Sequence, residues 1–208
     1  EGETRIKEVN DTRDHTERLL AGFGYPVQFA NGLVEIGGGD EIIARNIDVP
    51  ADFTLAFYYI VAATLTPGSE LTLRNVGINK SRISALTVLQ AMGAHVEVLN
   101  SLDVVNEKIA DLKVYPSALT GFKMGAKTCL QASEEMPALL IAASLASSAS
   151  RIKGFSLLPE DLQSVLLEVS KAIVAFGGLS RIDNGELVIT PISKVTVIYL
   201  LLLFLLII

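Results

Sequence analysis

One order of elements runs through this chain more than once, and that recurrence limits the fold more than any single motif. Residues 53–65 are apolar and alanine-rich, long enough for a helix, and Pro67-Gly68 ends it. Residues 70–76 then alternate as a strand should. Ser81 is placed to cap a second helix over residues 82–92, stopped by Gly93. Short strands follow at residues 96–98 and 111–114. The series then restarts at an offset of about 80 residues, too long for the common solenoid periods. Residues 135–146 form the alanine-rich helix, 150–155 the strand, and 160–176 the second helix, stopped by Gly177-Gly178. Residues 179–182 and 187–189 close the block.

The beginning of the chain reads as the later part of another copy. Residues 14–23 are helical in pattern and end at Gly24. Residues 27–29 and 33–36 form a hairpin across Ala30-Asn31-Gly32, where the Asn-Gly pair favours a tight turn. The chain therefore holds about two and a half copies of a βαβαββ unit. A repeat of that size implies an α/β architecture with small sheets around packed helices, each apolar helix buried among its neighbours.

Composition narrows the function classes. Half of the 208 residues are apolar, so a sizeable core can form. The net charge is −6 and no Lys/Arg cluster occurs, which argues against nucleic acid as a partner. Cys129 is the single cysteine, so no disulfide can form within the chain; a plain structural thiol and a reducing cytoplasm are expected. The first residues, Glu1-Gly2-Glu3, carry no initiator Met or signal peptide, and the sequence reads as starting inside a longer protein. Residues 195–208 are almost wholly apolar but fewer than the roughly 20 needed to span a bilayer. An altered or truncated end is expected there rather than an anchor, and a membrane is not expected as a partner.

The chemistry-bearing residues are sparse. His15 and His95 are the two histidines and lie far apart, so neither a zinc site nor a Ser-His-Asp arrangement can be built from spacing. Gly37-Gly38-Gly39 lacks the Gly-Lys-Ser/Thr and the helix of a nucleotide loop and reads as a strand end. Three helix starts remain. At the first, Thr12 can cap a helix whose free amides attract anions, with Arg13 adding a guanidinium. The second is Glu134-Glu135-Met136-Pro137, where acidic side chains suit the helix dipole. The third is Pro159-Glu160-Asp161, with Pro near the first turn. Capping alone accounts for each.

Taken together, these segments resemble a family. Thr12-Arg13-Asp14-His15-Thr16-Glu17-Arg18 is similar to the Ser-Arg-Asp-His-Thr-Glu-Arg stretch of bacterial EPSP synthases. Val49-Pro50-Ala51-Asp52-Phe53-Thr54-Leu55-Ala56-Phe57 resembles their Val-Pro-Gly-Asp-x-Ser-Ser-Ala-x-Phe. Leu65-Thr66-Pro67-Gly68-Ser69-Glu70-Leu71-Thr72-Leu73-Arg74-Asn75-Val76-Gly77-Ile78-Asn79 matches almost residue for residue, and Met92-Gly93-Ala94-His95-Val96-Glu97-Val98 and Ala110-Asp111-Leu112-Lys113-Val114 fit as well. The ordered set, running from Thr4 to Ile189, is more specific than any one of its motifs.

The resemblance implies the inside-out α/β barrel fold of the enolpyruvyl transferases: two domains, each of three βαβαββ units. On that reading residues 1–47 end the first domain, residues 48–190 form part of the second, and 191–208 are an apolar tail foreign to the family. The implied activity is transfer of the enolpyruvyl group from phosphoenolpyruvate to shikimate 3-phosphate in aromatic amino acid biosynthesis, with no metal or organic cofactor and in the cytoplasm. It fixes no oligomeric state. Both substrates are anionic, so a closed cleft needs Lys and Arg partners and a group that moves protons.

Carried over by position, Thr12 and Arg13 are implied shikimate-phosphate contacts. Glu134 stands where the family has the catalytic aspartate of Ile-Asp-Glu-Ile-Pro, one methylene longer. The family's Leu-Arg-Val-Lys-Glu-Ser-Asp-Arg reads Leu157-Leu158-Pro159-Glu160-Asp161-Leu162-Gln163-Ser164 here. Asp161 keeps a substrate-binding carboxylate, while Glu160 replaces a lysine and Leu158 and Ser164 replace arginines. Ala51 and Thr54-Leu55 replace a Gly and a Ser-Ser pair of the crossover, and the family's N-terminal Lys-Ser-x-x-x-Arg and C-terminal Asp-His-Arg segments do not occur. The expectation is a homologue that is inactive as an isolated chain. Its alternatives are a non-catalytic remnant that keeps the fold or binds a partner, and a sister transferase acting on UDP-N-acetylglucosamine, to which the Asp-His-Thr-Glu and Pro-Gly-Ser-Glu-Leu-Thr stretches are less well suited.

Overall fold

A computed structural model describes residues 2–9 and 12–192. The same small antiparallel sheet is built three times. The first contains β1 (Glu3–Lys7), β2 (Val27–Ala30) and β3 (Leu33–Gly37), with α1 (His15–Gly22) between β1 and β2. Its strand order is β1-β3-β2. The second follows α2 (Phe53–Leu65) and contains β4 (Leu71–Gly77), α3 (Ser84–Ala91), β5 (His95–Val104) and β6 (Glu107–Tyr115), in the order β4-β6-β5. The third contains β7 (Lys123–Met124), α4 (Ala126–Gln131), α5 (Met136–Ser144), β8 (Ser150–Lys153), α6 (Glu160–Ala175), β9 (Leu179–Asp183) and β10 (Glu186–Thr190). Its order is β7-β8-β10-β9. In every copy the last strand returns to the centre, so its backbone is paired on both sides.

The third copy is a complete βαβαββ unit, because β7 runs parallel to β8 with Lys123 opposite Arg151. In the second copy that strand is reduced to a single parallel bridge, Ala51 to Val76.

Local chemistry explains the repeated hairpins. Asn31-Gly32, Val105-Asn106 and Asn184-Gly185 all sit at positive φ. Two consecutive residues there make the turn whose twist matches that of the flanking strands. The first of these hairpins was legible in the sequence. The second was not, because Val105 is not a turn residue, so β5 and β6 extend well beyond the expected residues 96–98 and 111–114.

The core lies between the sheets. α2 starts where the Asp52 carboxylate accepts the Leu55 amide at 2.9 Å, satisfying an otherwise free helix donor. Phe53, Phe57, Ile60 and Val61 of α2 are buried, and all nine residues of α5 are buried. The two helices pack on each other, and Ala138, Ala142 and Ala143 keep α5 slim enough for neighbours on every side. Each large apolar side chain so enclosed stabilises the fold by about 1.5–3 kcal/mol before conformational entropy is set against it. Cys129 is part of this core and burial pushes its thiol up to about 11, as a structural cysteine requires.

Three local expectations are corrected. Thr12 caps no helix: α1 starts at His15 with Asp14 at the cap position, and the Thr12 hydroxyl donates to Glu8 instead. Ser81 does not cap α3, which starts later, at Ser84; its hydroxyl is taken by Asn79 and Asp14, which hold residues 80–83 as a turn. The helix expected from residue 135 opens instead as a single 3-10 turn, Ser133–Glu135, before α5. Strand β7 and helix α4 had no expectation. Residues 38–50 form neither helix nor strand, and the crossover expected near Asp48-Val49-Pro50 falls within them. The apolar tail from residue 195 lies outside the described residues; among those described, no helix is long and apolar enough to cross a membrane.

Candidate functional site

The helix starts converge. Thr54 in the first turn of α2 hydrogen-bonds to both Glu134 and Glu135, so α2 and α5 begin at the same end of the core. Arg82, in the turn before α3, reaches the same place. Its Nη1 donates to Glu134 Oε2 at 3.0 Å and its Nη2 to the Thr54 hydroxyl at 2.7 Å, with Asp52 Oδ2 at 3.8 Å. Arg13, immediately before α1, comes from the first sheet's side and pairs with the other carboxylate oxygen, Glu134 Oε1, at 2.6 Å. One carboxylate thus receives two guanidiniums from two different parts of the chain.

The two guanidiniums differ in their surroundings. The Arg82 side chain is 10% exposed, whereas Arg13 and Glu134 are 48% and 45% exposed. The Arg82 contact is held by packing; the Arg13 contact is open to water and easier to exchange. Burial pushes the Glu134 carboxyl up, but the hydrogen bonds from Arg13 and Arg82 outweigh it and hold the group below the ordinary glutamate range. Glu135 behaves oppositely. It is buried, and desolvation raises its carboxyl despite the Thr54 hydrogen bond and the Arg82 charge. Tyr58, whose hydroxyl donates to the Glu134 carbonyl at 3.4 Å, is raised by burial and then by the charges of Glu135 and Glu134. The two adjacent carboxyls are thus shifted in opposite directions, Glu134 by its guanidinium partners and Glu135 by burial.

A second polar cluster joins α1 to the middle unit. His15 Nδ1 lies 2.6 Å from Glu107 Oε1. The buried Asn79 side chain donates to Asp14 at 2.7 Å and to Glu107 at 3.2 Å. Arg18 donates to Asp14 at 2.8 Å and to the Asn106 carbonyl at 3.1 Å. A cavity of about 390 Å3 is lined both by His15, Asn79 and Glu107 of this cluster and by Asp52, Phe53 and Arg82.

Of the residues singled out in the sequence, the structure brings Arg13 and Glu134 into contact. Thr12 is exposed, turned to Glu8, and outside the cluster. Asp161 is exposed in the first turn of α6 beside Glu160, and none of the described contacts of the Glu134 cluster reaches it. Arg82 was not singled out, and Glu135 was named only as part of a helix start. Nothing local distinguishes Arg82 from a solvated helix arginine; only the packing of α2 against α5 brings Thr54 and Glu134 to it. Thr54 had a signal, since it stands where the resemblance has its serine pair.

The sequence profile of EPSP synthase (3-phosphoshikimate 1-carboxyvinyltransferase) matches residues 1–197. The 3-phosphoshikimate 1-carboxyvinyltransferase of Halorhodospira halophila is 44% identical over 154 residues, covering 74% of this chain and 35% of that protein. That of Carboxydothermus hydrogenoformans is 37% identical over 179 residues, 84% of this chain and 42% of its own length. Among solved structures, an EPSP synthase from Acinetobacter baumannii superposes with a TM-score of 0.84 at 34% identity, covering 93% of this chain and 43% of that one. The enolpyruvyl transferase NikO from Streptomyces tendae shares the fold, with a TM-score of 0.64 at 18% identity, over 99% of this chain and 48% of that one. The chain thus spans between 35% and 48% of the length of these relatives.

Proposed function

Starting from the fact that this chain belongs to the EPSP synthase family, we propose that it carries the acceptor side of an enolpyruvyl transfer from phosphoenolpyruvate to shikimate 3-phosphate. One observation carries this reading: Arg13 and Arg82 converge on Glu134 from separate units. In the proposed roles, Arg13 meets the phosphate of shikimate 3-phosphate, with Thr12 beside it in the chain. Glu134 accepts the proton of the reacting hydroxyl as the hydroxyl oxygen bonds the enolpyruvyl carbon, the proton leaving in the end with the released phosphate, and Arg82 with Thr54 fixes the orientation of the Glu134 carboxylate.

As an isolated polypeptide the chain is proposed to bind the phosphorylated sugar and not to turn over. The start of α6 supports this. Glu160 and Asp161 are exposed there and Leu158 is buried, so that surface offers acidic groups to the anionic phosphoenolpyruvate. The acidic patch also favours a second reading, a non-catalytic form of the fold. The test is calorimetry with each substrate, together with phosphate release from both. Shikimate 3-phosphate should bind and Arg13→Ala should abolish it, while phosphate release stays at background and phosphoenolpyruvate binds weakly. Failure of shikimate 3-phosphate to bind overturns the substrate assignment. Release well above background overturns the proposed inactivity. Glu160→Lys should strengthen phosphoenolpyruvate binding; an unchanged affinity in a folded variant rules out a role for that position and favours the non-catalytic reading.

A further inference from the structure

The Glu134 carboxylate occupies the place an external anion would need. Its two oxygens take the two guanidiniums separately, Oε1 from Arg13 and Oε2 from Arg82, and the Thr54 hydroxyl lies 3.2 Å from Oε2. Two arginines converging on one carboxylate make a donor set of the kind that recognises phosphate or carboxylate, the Thr54 hydroxyl giving its one proton mainly to Glu135. We propose that this is an anion site closed by the chain's own Glu134, an autoinhibitory contact that a phosphate monoester must break at Arg13 before it can bind.

The unequal burial gives the exchange a direction. The Arg82 side chain is 10% exposed and also tied to Thr54, so it keeps its hold on Glu134. Arg13 and Glu134 are each about half exposed, so their pair is the one water and solute anions can reach. A phosphate gives the Arg13 guanidinium two acceptor oxygens in place of one, and Glu134 then swings aside on its Arg82 anchor. Asp52 and Glu135 cannot substitute for it at Arg13. Asp52 Oδ2 faces Arg82 at 3.8 Å, and Glu135 is buried against Thr54. The proposal takes from the functional reading only the identity of the natural anion; the closed contact is a property of the geometry.

The experiment uses inorganic phosphate as the probe, titrated by calorimetry into the whole chain and four variants. Glu134→Gln should tighten phosphate binding by about tenfold. Asp52→Asn removes the same single charge without touching Arg13 and should change it by less than about threefold. Adding Arg13→Met to Glu134→Gln should erase the gain. Glu134→Asp keeps the charge but withdraws it by one methylene, and should tighten binding severalfold even if the glutamine variant folds poorly. Equal gains from Glu134→Gln and Asp52→Asn, or an unchanged affinity in a folded Glu134→Asp chain, overturn the proposal. A parallel titration with shikimate 3-phosphate separates the two readings. If phosphate shows the gain and shikimate 3-phosphate binds no better than phosphate, the closed contact stands and the substrate assignment falls. Tight sugar phosphate binding that is equal in the natural, Glu134→Gln and Glu134→Asp chains and lost with Arg13→Met has the reverse meaning.

Discussion

Arg82 donates to Glu134 at 3.0 Å across 52 residues of chain, from a side chain that is 10% exposed to a carboxylate that is 45% exposed. The arginine is the enclosed partner and the carboxylate the accessible one, so the pair serves as a fixed anchor for a reactive group.

Arg82→Met keeps the bulk of the stem but removes the donors to Glu134 and Thr54. Loss of charged hydrogen bonds at a mostly buried site should lower stability by about 2–3 kcal/mol. Urea denaturation checks this, and a loss under about 0.5 kcal/mol, the range of an ordinary surface change, would show that the anchor contributes nothing to folding.

Asn79→Ala takes a donor from two carboxylates at once, because one buried amide serves both Asp14 and Glu107, which keep Arg18 and His15. Stability should fall by about 1–3 kcal/mol. The damage should be localised: hydrogen exchange should accelerate in α1, at Leu19 and Leu20, more than in α5. Uniform acceleration across both helices would contradict a role for Asn79 in docking α1.

The pH response of Glu134 follows from its lowered carboxyl. A group held below its ordinary value of 4.5 in the folded chain adds stability above that value, and the contribution disappears as pH falls through the folded value. Compared with Glu134→Gln, the natural chain should therefore lose part of its relative stability between about pH 5 and about pH 3. A difference in urea midpoint that is constant over that range would be inconsistent with the paired carboxylate.

Glu135 should respond with the opposite sign. Its carboxyl is raised, so ionisation is unfavourable in the folded chain and stability declines as pH rises from its ordinary value through the folded one. Glu135→Gln is neutral at every pH. It should be more stable than the natural chain near pH 7, with the advantage vanishing near pH 4.

Gly121→Ala probes the seam between the second and third units. A Cβ at Gly121 would overlap the backbone carbonyl oxygens of Ser148 and Ala149, neither of which can move like a side-chain tip. Stability should fall by about 1–3 kcal/mol, and thermal unfolding should report it.

The repeat was legible because it is written in short-range signals. Period-2 alternation at β4, the unbroken apolar run of α2 and the Asn31-Gly32 turn each act within a few residues. They set the backbone wherever tertiary packing does not oppose them. The misreadings occur where a polar side chain found a partner elsewhere. Ser81 and Thr12 have the composition of caps, yet each spends its hydroxyl on a different acceptor, and the helix begins later. Val105 was hidden for another reason: a β-branched residue at positive φ is costly alone and is tolerated here in the turn between two long paired strands, packed against Gly22 of α1.

The sequence by itself determined the unit, its repetition and the family, because ordered motifs and periodicity are properties of neighbouring residues. Only the tertiary structure decided which charges meet. Arg13, Arg82 and Glu134 lie on three separate helix starts, and nothing in the intervening chain encodes their distances. Those distances follow from α2 and α5 packing side by side with their first turns at one end of the core, which brings Thr54 to Glu134 and lets Arg82 reach both. Asp161, the same kind of residue at the same kind of helix start, is exposed in the first turn of α6 and joins none of the described contacts of that cluster.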